Sequence, residues 1–225
     1  MQPRLLAILI TFLPLIAGNG AYIMSAYSEF VPWCIPYLDG CTTVSRAGRS
    51  GDAIFLFRAI MIVYGVLLIW FWIYSQQWLN LLAKREKNTA GIILWLGIVA
   101  ALFLIIYIDY LGTTGEVNRF MRRFGIMIYF TFTPLAQLMM LKKHYDLVYE
   151  NPDLGINKKI LRFQLIVLLL MLVIGVISLV LGLTNTKSYE SENIVEWNFS
   201  LLLSLYFSGM IFLWKDFNYF LKINK

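Results

Sequence analysis

Six long apolar runs limit what this chain can fold into more than any other feature. Short polar segments separate the runs, which cover about 5–24, 53–74, 91–111, 124–141, 163–183 and 194–214. A helix needs roughly 20 apolar residues to cross the hydrocarbon core of a bilayer, and unbroken runs of that length favour helices over barrel strands. The sequence therefore predicts an all-α, polytopic membrane protein in which residues 1–225 form one bundle of six transmembrane helices.

The composition excludes a soluble fold. The chain is 60% hydrophobic and 14% charged, whereas an ordinary globular chain is about 45–50% apolar and about 25% charged. Such a chain could not cover its own core with polar surface in water. A soluble domain of any size and nucleic-acid binding through a basic domain are therefore ruled out, and the net charge of +6 has to be assigned loop by loop.

The distribution of Lys and Arg predicts the orientation in the membrane. Six crossings place both termini on one side, together with Arg4, Lys84, Arg85, Lys87, Lys142, Lys143, Lys158, Lys159, Arg162, Lys215, Lys222 and Lys225. Short loops rich in Lys and Arg stay in the cytoplasm, so both termini are predicted to be cytoplasmic, in the plasma membrane or in a bacterial inner membrane. The first run resembles a signal peptide, but it continues through Met24, which favours a retained span.

The two cysteines and the single histidine restrict the possible chemistry. Cys34 and Cys41 lie in the first extracytoplasmic loop, where an oxidising compartment favours a disulfide over two free thiols. His144 is predicted to lie in a solvated cytoplasmic loop beside Lys142 and Lys143, across the membrane from the cysteines. The sequence contains no paired zinc motif, no phosphate-binding glycine loop and no nucleophile elbow. We therefore expect no metal and no cofactor.

Charged side chains at the extracytoplasmic ends of the spans are the main candidates for a site. Charges within spans are costly, and they face the bundle interior or water where they occur. Arg58 lies inside the second span, Asp109 at the end of the third and Glu196 at the start of the sixth. These three side chains are expected to meet in one layer.

The start of the fourth span is unusually basic. Thr113 and Glu116 are spaced as a capping box, which predicts the beginning of a helix. Arg119, Arg122 and Arg123 follow at spacings that place them on one helical face. Cations near a helix N-terminus oppose the helix dipole, and their extracytoplasmic location opposes the positive-inside bias. The cluster therefore needs an explanation.

Two interpretations of these arginines stay open. Acidic neighbours would neutralise them in a structural ion-pair network, or the arginines would bind an anion, since guanidinium groups suit phosphate and carboxylate. A lipid headgroup is the commonest anion at that depth, so the predicted partners are membrane lipids with anionic headgroups. The predicted site consists of arginines with acidic residues that orient them: Arg58, Arg119, Arg122, Arg123, Asp109, Glu116 and Glu196.

Small and polar residues recur along the last two spans. They stand at intervals of three or four within each span, at Gly175, Ser178 and Gly182, and at Glu196, Ser200, Ser204 and Ser208. Such spacing favours close helix packing. A narrow polar groove below Glu196 is the alternative.

Short motifs near the ends of several spans resemble a known family. The first loop has the sequence PYLDGCTTVSRAG at 36–48, Phe57-Arg58 follows it, Gly115-Glu116 precedes the arginines of the fourth span and Glu196-Trp197 starts the sixth. These motifs resemble the six-span damage-regulated autophagy modulator (DRAM) family, which includes the suppressor-of-four-kinase proteins, the FGF-receptor-activating protein and the post-GPI-attachment lipid-remodelling factor. The residues on the family pattern are Ser45, Gly48, Arg58, Glu116, Glu196 and Trp197.

The resemblance implies a role in membrane-lipid biology, such as lipid-anchor remodelling, phosphoinositide signalling, lipid asymmetry or autophagy. The lipid-remodelling members have a histidine near the start of the fourth span, where this chain has arginines, and acyl transfer or hydrolysis is therefore kept only as the alternative function. The predicted function is non-enzymatic binding or handling of lipid headgroups from the extracytoplasmic leaflet, which influences lipid organisation or lipid-anchor processing. A lipid-modifying enzyme with Glu196 or Asp109 as general base and Ser45 as nucleophile is the alternative, and a small-molecule transporter is the third.

Overall fold

The computed structural model describes residues 2–83 and 91–215, and this part of the chain is all-α. It contains helices α1 (Pro3–Tyr27), α2 (Pro36–Asp39), α3 (Val44–Ala47), α4 (Ala53–Leu82), α5 (Gly91–Asp109), α6 (Glu116–Glu150), α7 (Lys158–Leu183) and α8 (Tyr189–Leu213). Helices α1 and α4 to α8 are the 6 that are long and apolar enough to cross a membrane. The predicted all-α bundle of six membrane-spanning helices is confirmed.

The orientation of the bundle stays a prediction. Several of the basic residues that support it, Lys84, Arg85, Lys87, Lys222 and Lys225, lie outside the described residues. We call one end of the bundle the outer end: it holds residues 28–52 and the turns between α5 and α6 and between α7 and α8. This is the end that the sequence predicts to be extracytoplasmic.

The start of α6 is not a capping box, so the prediction made from Thr113 and Glu116 is wrong. The helix begins at Glu116, and Gly115 precedes it with a φ of 104°, a value that glycine tolerates far better than other residues. The Thr113 hydroxyl donates to the Tyr110 carbonyl at 2.7 Å instead of accepting from the first turn of α6. The turn between α5 and α6 is therefore a structure of its own, and a true serine capping box occurs only at Ser188, before α8, among the described helices.

Aromatic side chains fill the middle of the bundle. Phe71 lies between Phe207 and Trp214, with ring centroids 5.0 and 5.1 Å apart respectively, and all three side chains are buried. Helix α5 comes close to α4 because Gly97 leaves room, since a Cβ at that position would lie 2.2 Å from the Trp72 ring. This dense aromatic packing fills the middle of the bundle to the density expected of a protein core.

His144 lies in this core, so the prediction of a solvated loop histidine is wrong. Helix α6 continues past the apolar run to Glu150, and His144 is 0% exposed, with its ring 4.8 Å from that of Trp78. Met140 and Leu147 are buried on the same face at the three- and four-residue spacing of a helix. The apolar run is shorter than the helix because the outward face of α6 becomes polar before its inward face ends.

Helix α7 packs on the bundle through one half only. Its buried residues all lie between its first turn and its middle, at Leu161, Gln164, Val167, Leu168 and Met171. A Cβ built on Gly175 or on Gly182 meets no described atom within 4 Å. The prediction that these glycines serve close helix packing is therefore wrong within the described chain, and α7 buries no residue beyond Met171.

Candidate functional site

A cavity of about 770 Å³ opens at the outer end, between the α3 region and helices α5 to α8. Its volume is typical of small-molecule pockets, which have about 300–1,000 Å³. Its polar lining consists of Ser45, Arg49, Tyr107, Arg119, Arg122, Arg123, Ser178, Lys187, Glu192 and Glu196. Cationic side chains from three parts of the chain thus face one space.

The cavity has an excess of positive charge. Lys187 and Glu192 form a salt bridge of 3.0 Å at the rim, so their charges cancel. The remaining charged lining residues are Arg49, Arg119, Arg122, Arg123 and one carboxylate, Glu196. Several like charges around a concave surface focus a positive potential into it.

The predicted ion-pair network is not formed. Across residues 2–83 and 91–215 the salt bridge between Lys187 and Glu192 is the only one. Asp109 and Glu116 are exposed and pair with none of the arginines. Their predicted role in orienting the arginines is therefore not seen, and the protein leaves the charge of the cluster uncompensated.

Arg119 and Arg123 have free donors, whereas Arg122 is partly engaged. Both Arg119 and Arg123 are exposed at the cavity, and neither side chain makes a hydrogen bond or salt bridge with the described chain. The half-buried Arg122 donates from Nη1 to the carbonyl of Tyr110, at 3.2 Å, and to that of Thr113. Arg122 therefore stabilises the turn before α6 while it lines the cavity.

Arg58 does not belong to the cavity, although the sequence predicts it as a ligand. Its guanidinium donates to the carbonyl of Asp109, at 2.9 Å, and to that of Leu111. These carbonyls lie at the C-terminal end of α5, where helix acceptors lack partners and the dipole favours a cation. The predicted layer of Arg58, Asp109 and Glu196 is not formed, because Arg58 contacts the backbone of Asp109 and only Glu196 lines the cavity.

Glu196 connects α8 to the segment before α4. Its Oε1 accepts the backbone N–H of Ser45 at 3.3 Å, at the start of α3. Below it lies a second, small cavity of about 50 Å³, which shares Tyr107 and Glu196 with the main one. Ser200 and Ser204 line this space, and their hydroxyls donate to carbonyls of α8 itself at 2.8 and 3.1 Å. The other lining residues of this small cavity are mainly apolar, so a polar groove along α8 stays a prediction.

The first loop is held against α8 by side-chain donors. Asn193, Trp197 and Asn198 donate to the carbonyls of Gly40, Thr42 and Tyr37 at 2.6, 2.8 and 2.8 Å. The predicted disulfide between Cys34 and Cys41 is formed and closes the same loop. Gly48 packs against the Phe57 ring, which a Cβ would approach to 2.9 Å. These contacts place Ser45 and Arg49 at the cavity, so Trp197 and Gly48 position the site without lining it.

Arg49 and Tyr107 are lining residues that the sequence did not identify. Arg49 follows Gly48 in the turn before α4, and Tyr107 lies on α5 two residues before Asp109. Helical periodicity cannot predict the path of a loop, which explains the omission of Arg49. An α-helix rotates by about 100° per residue, so the side chains of Tyr107 and Asp109, two residues apart, point in nearly opposite directions. Asp109 is exposed, and Tyr107 therefore faces inward.

Comparisons with known proteins find no matching family model, curated protein or solved structure. The resemblance to the DRAM family therefore stays a prediction based on the motifs at 36–48, Gly115-Glu116 and Glu196-Trp197.

Proposed function

We propose that this protein binds an anionic lipid headgroup in the outer cavity and thereby influences lipid organisation or lipid-anchor processing, without catalysing a reaction. The observation that supports this function best is the charge of the cavity lining. Four arginines line the cavity, and Glu196 is the one lining carboxylate that does not form a salt bridge with Lys187. An anion in that space would compensate charge that the protein leaves uncompensated.

Guanidinium chemistry specifies the class of anion. Arg119 and Arg123 each present a planar fork of donors that matches phosphate or carboxylate bidentately. The cavity lies at the ends of membrane-spanning helices, where lipid phosphates are the most concentrated anions. A phosphate-bearing headgroup is therefore the ligand that the site suits best.

The membrane and leaflet belong to the same proposal. The positive-inside bias of the predicted cytoplasmic loops favours an outer leaflet position for the cavity, in a plasma membrane or a bacterial inner membrane. The resemblance to the DRAM family supports a lipid-related role. We therefore expect this chain, like the members of that family, to act on the organisation or processing of membrane lipids.

Native mass spectrometry after detergent exchange tests the proposal, with phosphatidylglycerol and phosphatidylcholine as probes. A variant with Arg119→Ala and Arg123→Ala should lose affinity for phosphatidylglycerol by about tenfold to a hundredfold, since it lacks two charge-assisted interactions. Arg46→Ala is the matched control, because Arg46 is an exposed arginine at the same end that does not line the cavity. Equal retention of the anionic lipid by the wild type and the double variant would refute the proposal.

A lipid-modifying enzyme is the second candidate, favoured by the adjacency of Ser45 and Glu196. Both line the cavity, and a hydrogen bond from the Ser45 backbone joins them. Asp109 is no candidate for the general base, since it lies outside the cavity. Incubation of the reconstituted protein with labelled phospholipid tests this function. Product that disappears with Ser45→Ala and with Glu196→Gln would support it, and the absence of any product would exclude it.

A further inference from the structure

The lower wall of the main cavity is apolar, in contrast to its cationic rim. Ile126, Met127 and Phe130 of α6 and Phe199 of α8 line it, and the rings of Phe130 and Phe199 meet edge to face with centroids 5.6 Å apart. No headgroup needs such a surface. An apolar wall that continues directly from a cationic rim matches an amphiphile with a charged head and a hydrocarbon chain.

The same cavity is open on the side of α7. Gly175 and Ser178 are its lining residues on that helix, and no residue of α7 from Leu172 to Leu183 is buried in the described chain. The missing side chain of Gly175 leaves free space, since a Cβ there would meet no described atom within 4 Å. The gap between the outer halves of α6 and α7 therefore leads from the cavity to the surface that faces the hydrocarbon core.

From this geometry we infer that the headgroup site is a lateral lipid site, in which one acyl chain of a phosphate-bearing lipid lies in the gap between α6 and α7. The inference rests on the proposed function and adds the second half of the ligand. The lipid enters sideways from the bilayer, with its phosphate at Arg119 and Arg123 and its chain along Ile126 and Phe130.

The dimensions along α6 agree with this arrangement. Phe130 lies seven positions after Arg123, which corresponds to about 10 Å along the axis of an α-helix. The chain of a lipid whose phosphate lies at the outer end runs roughly parallel to the helices over that depth. The arginines and the apolar wall are thus spaced as the head and the upper chain of one lipid molecule.

A matched pair of glycine substitutions tests the position of the chain. Gly175→Leu fills the gap, and Gly182→Leu is its control on the same helix, because Gly182 also has free space around its Cβ and does not line the cavity. A Cβ at either position meets no described atom within 4 Å and both positions are exposed, so neither variant should unfold the bundle. The probes are dioleoyl phosphatidylglycerol in detergent and glycerol phosphate, which carries a phosphate group and no acyl chain.

We expect Gly175→Leu to weaken binding of dioleoyl phosphatidylglycerol by about tenfold, the effect of losing roughly two buried methylene contacts. Gly182→Leu should bind it as the wild type does, and glycerol phosphate should bind all three proteins equally. Equal binding of the long-chain lipid to Gly175→Leu and to the wild type overturns the lateral site while the headgroup site stands. Failure of the wild type to bind either probe overturns both proposals.

Photolabelling of the wild type provides a second measurement that needs no variant. Phosphatidylglycerol with a diazirine in its acyl chain should label peptides that contain Phe130 of α6 and Gly175 of α7. Labelling spread over the whole exposed face of α7, or a dimer crosslinked through this helix, would mean that a second copy or bulk lipid covers the gap. Either result overturns the inference.

Discussion

Two pairs of arginines at the outer end share a residue type and an unusual location but not a function. Arg58 and Arg122 donate to backbone carbonyls at the end of α5 and in the turn that follows it, whereas Arg119 and Arg123 line the cavity without a partner in the described chain. A charge near a bilayer must be compensated, and backbone carbonyl acceptors can provide that compensation as well as a bound anion can. Sequence position alone does not distinguish the two cases.

Loss of the hydrogen bonds from Arg58 to the backbone should have the largest effect on stability. Arg58→Ala leaves the carbonyls at the end of α5 without their donor, so we expect the free energy of unfolding to fall by about 2–3 kcal/mol. Thermal unfolding in detergent measures this change. Arg123→Ala is the control and should shift the transition little, so an equal shift in both variants would contradict the division into two pairs.

Arg122 combines both roles, because it contacts the turn before α6 and also lines the cavity. Arg122→Met keeps the apolar stem of the side chain but removes the Nη1 donor to both carbonyls. We expect a loss of about 1–2 kcal/mol in unfolding free energy, together with partial retention of phosphatidylglycerol. Wild-type stability in this variant would show that the contacts to Tyr110 and Thr113 contribute nothing.

Salt should separate the two pairs without any mutation. Exposed charges are screened over a Debye length of about 8 Å at physiological ionic strength, and half-buried ones less so. Retention of phosphatidylglycerol through Arg119 and Arg123 should therefore decline as the salt concentration rises, while the unfolding temperature changes little. Titration of sodium chloride against both readouts provides the measurement, and a lipid affinity independent of salt would argue against a headgroup held by these arginines.

The smallest effects are expected at the acidic residues. Asp109→Asn and Glu116→Gln should change stability by about 0.5 kcal/mol or less, since both side chains are exposed and unpaired with the arginines. A small loss at Glu116 would reflect its position in the first turn of α6, where the dipole favours a negative charge. Destabilisation by more than about 2 kcal/mol in either variant would restore the ion-pair network as the explanation of the cluster.

The helices were easier to predict than their ends. The apolar run at 124–141 predicts a span correctly, but α6 extends to Glu116 on one side and Glu150 on the other. The three- and four-residue spacing of Met140, His144 and Leu147 indicates that the buried face of α6 continues beyond residue 141. A hydrophobicity criterion overlooks it, because polar outward positions lower the average. The error at His144 follows from that criterion.

The candidate site was predictable in part. The spacing of Arg119, Arg122 and Arg123 places them on one helical face, and all three line the cavity, as does Glu196 from a distant helix. Arg49 was missed because it lies in a turn whose path depends on the contacts of the first loop with α8. Arg58 was assigned to the site because its charge is visible in the sequence, while its backbone acceptors are not.

The apolar runs are sufficient to predict that this chain forms six membrane-spanning helices, because a bilayer leaves an unbroken apolar segment few other ways to satisfy its backbone. Tertiary structure decided which arginines point into a common cavity and which cap a helix, since those roles depend on atoms that are remote in the chain. It also decided that the outer half of α7 stands apart from α6. The space between these helices arises from packing that no single segment encodes.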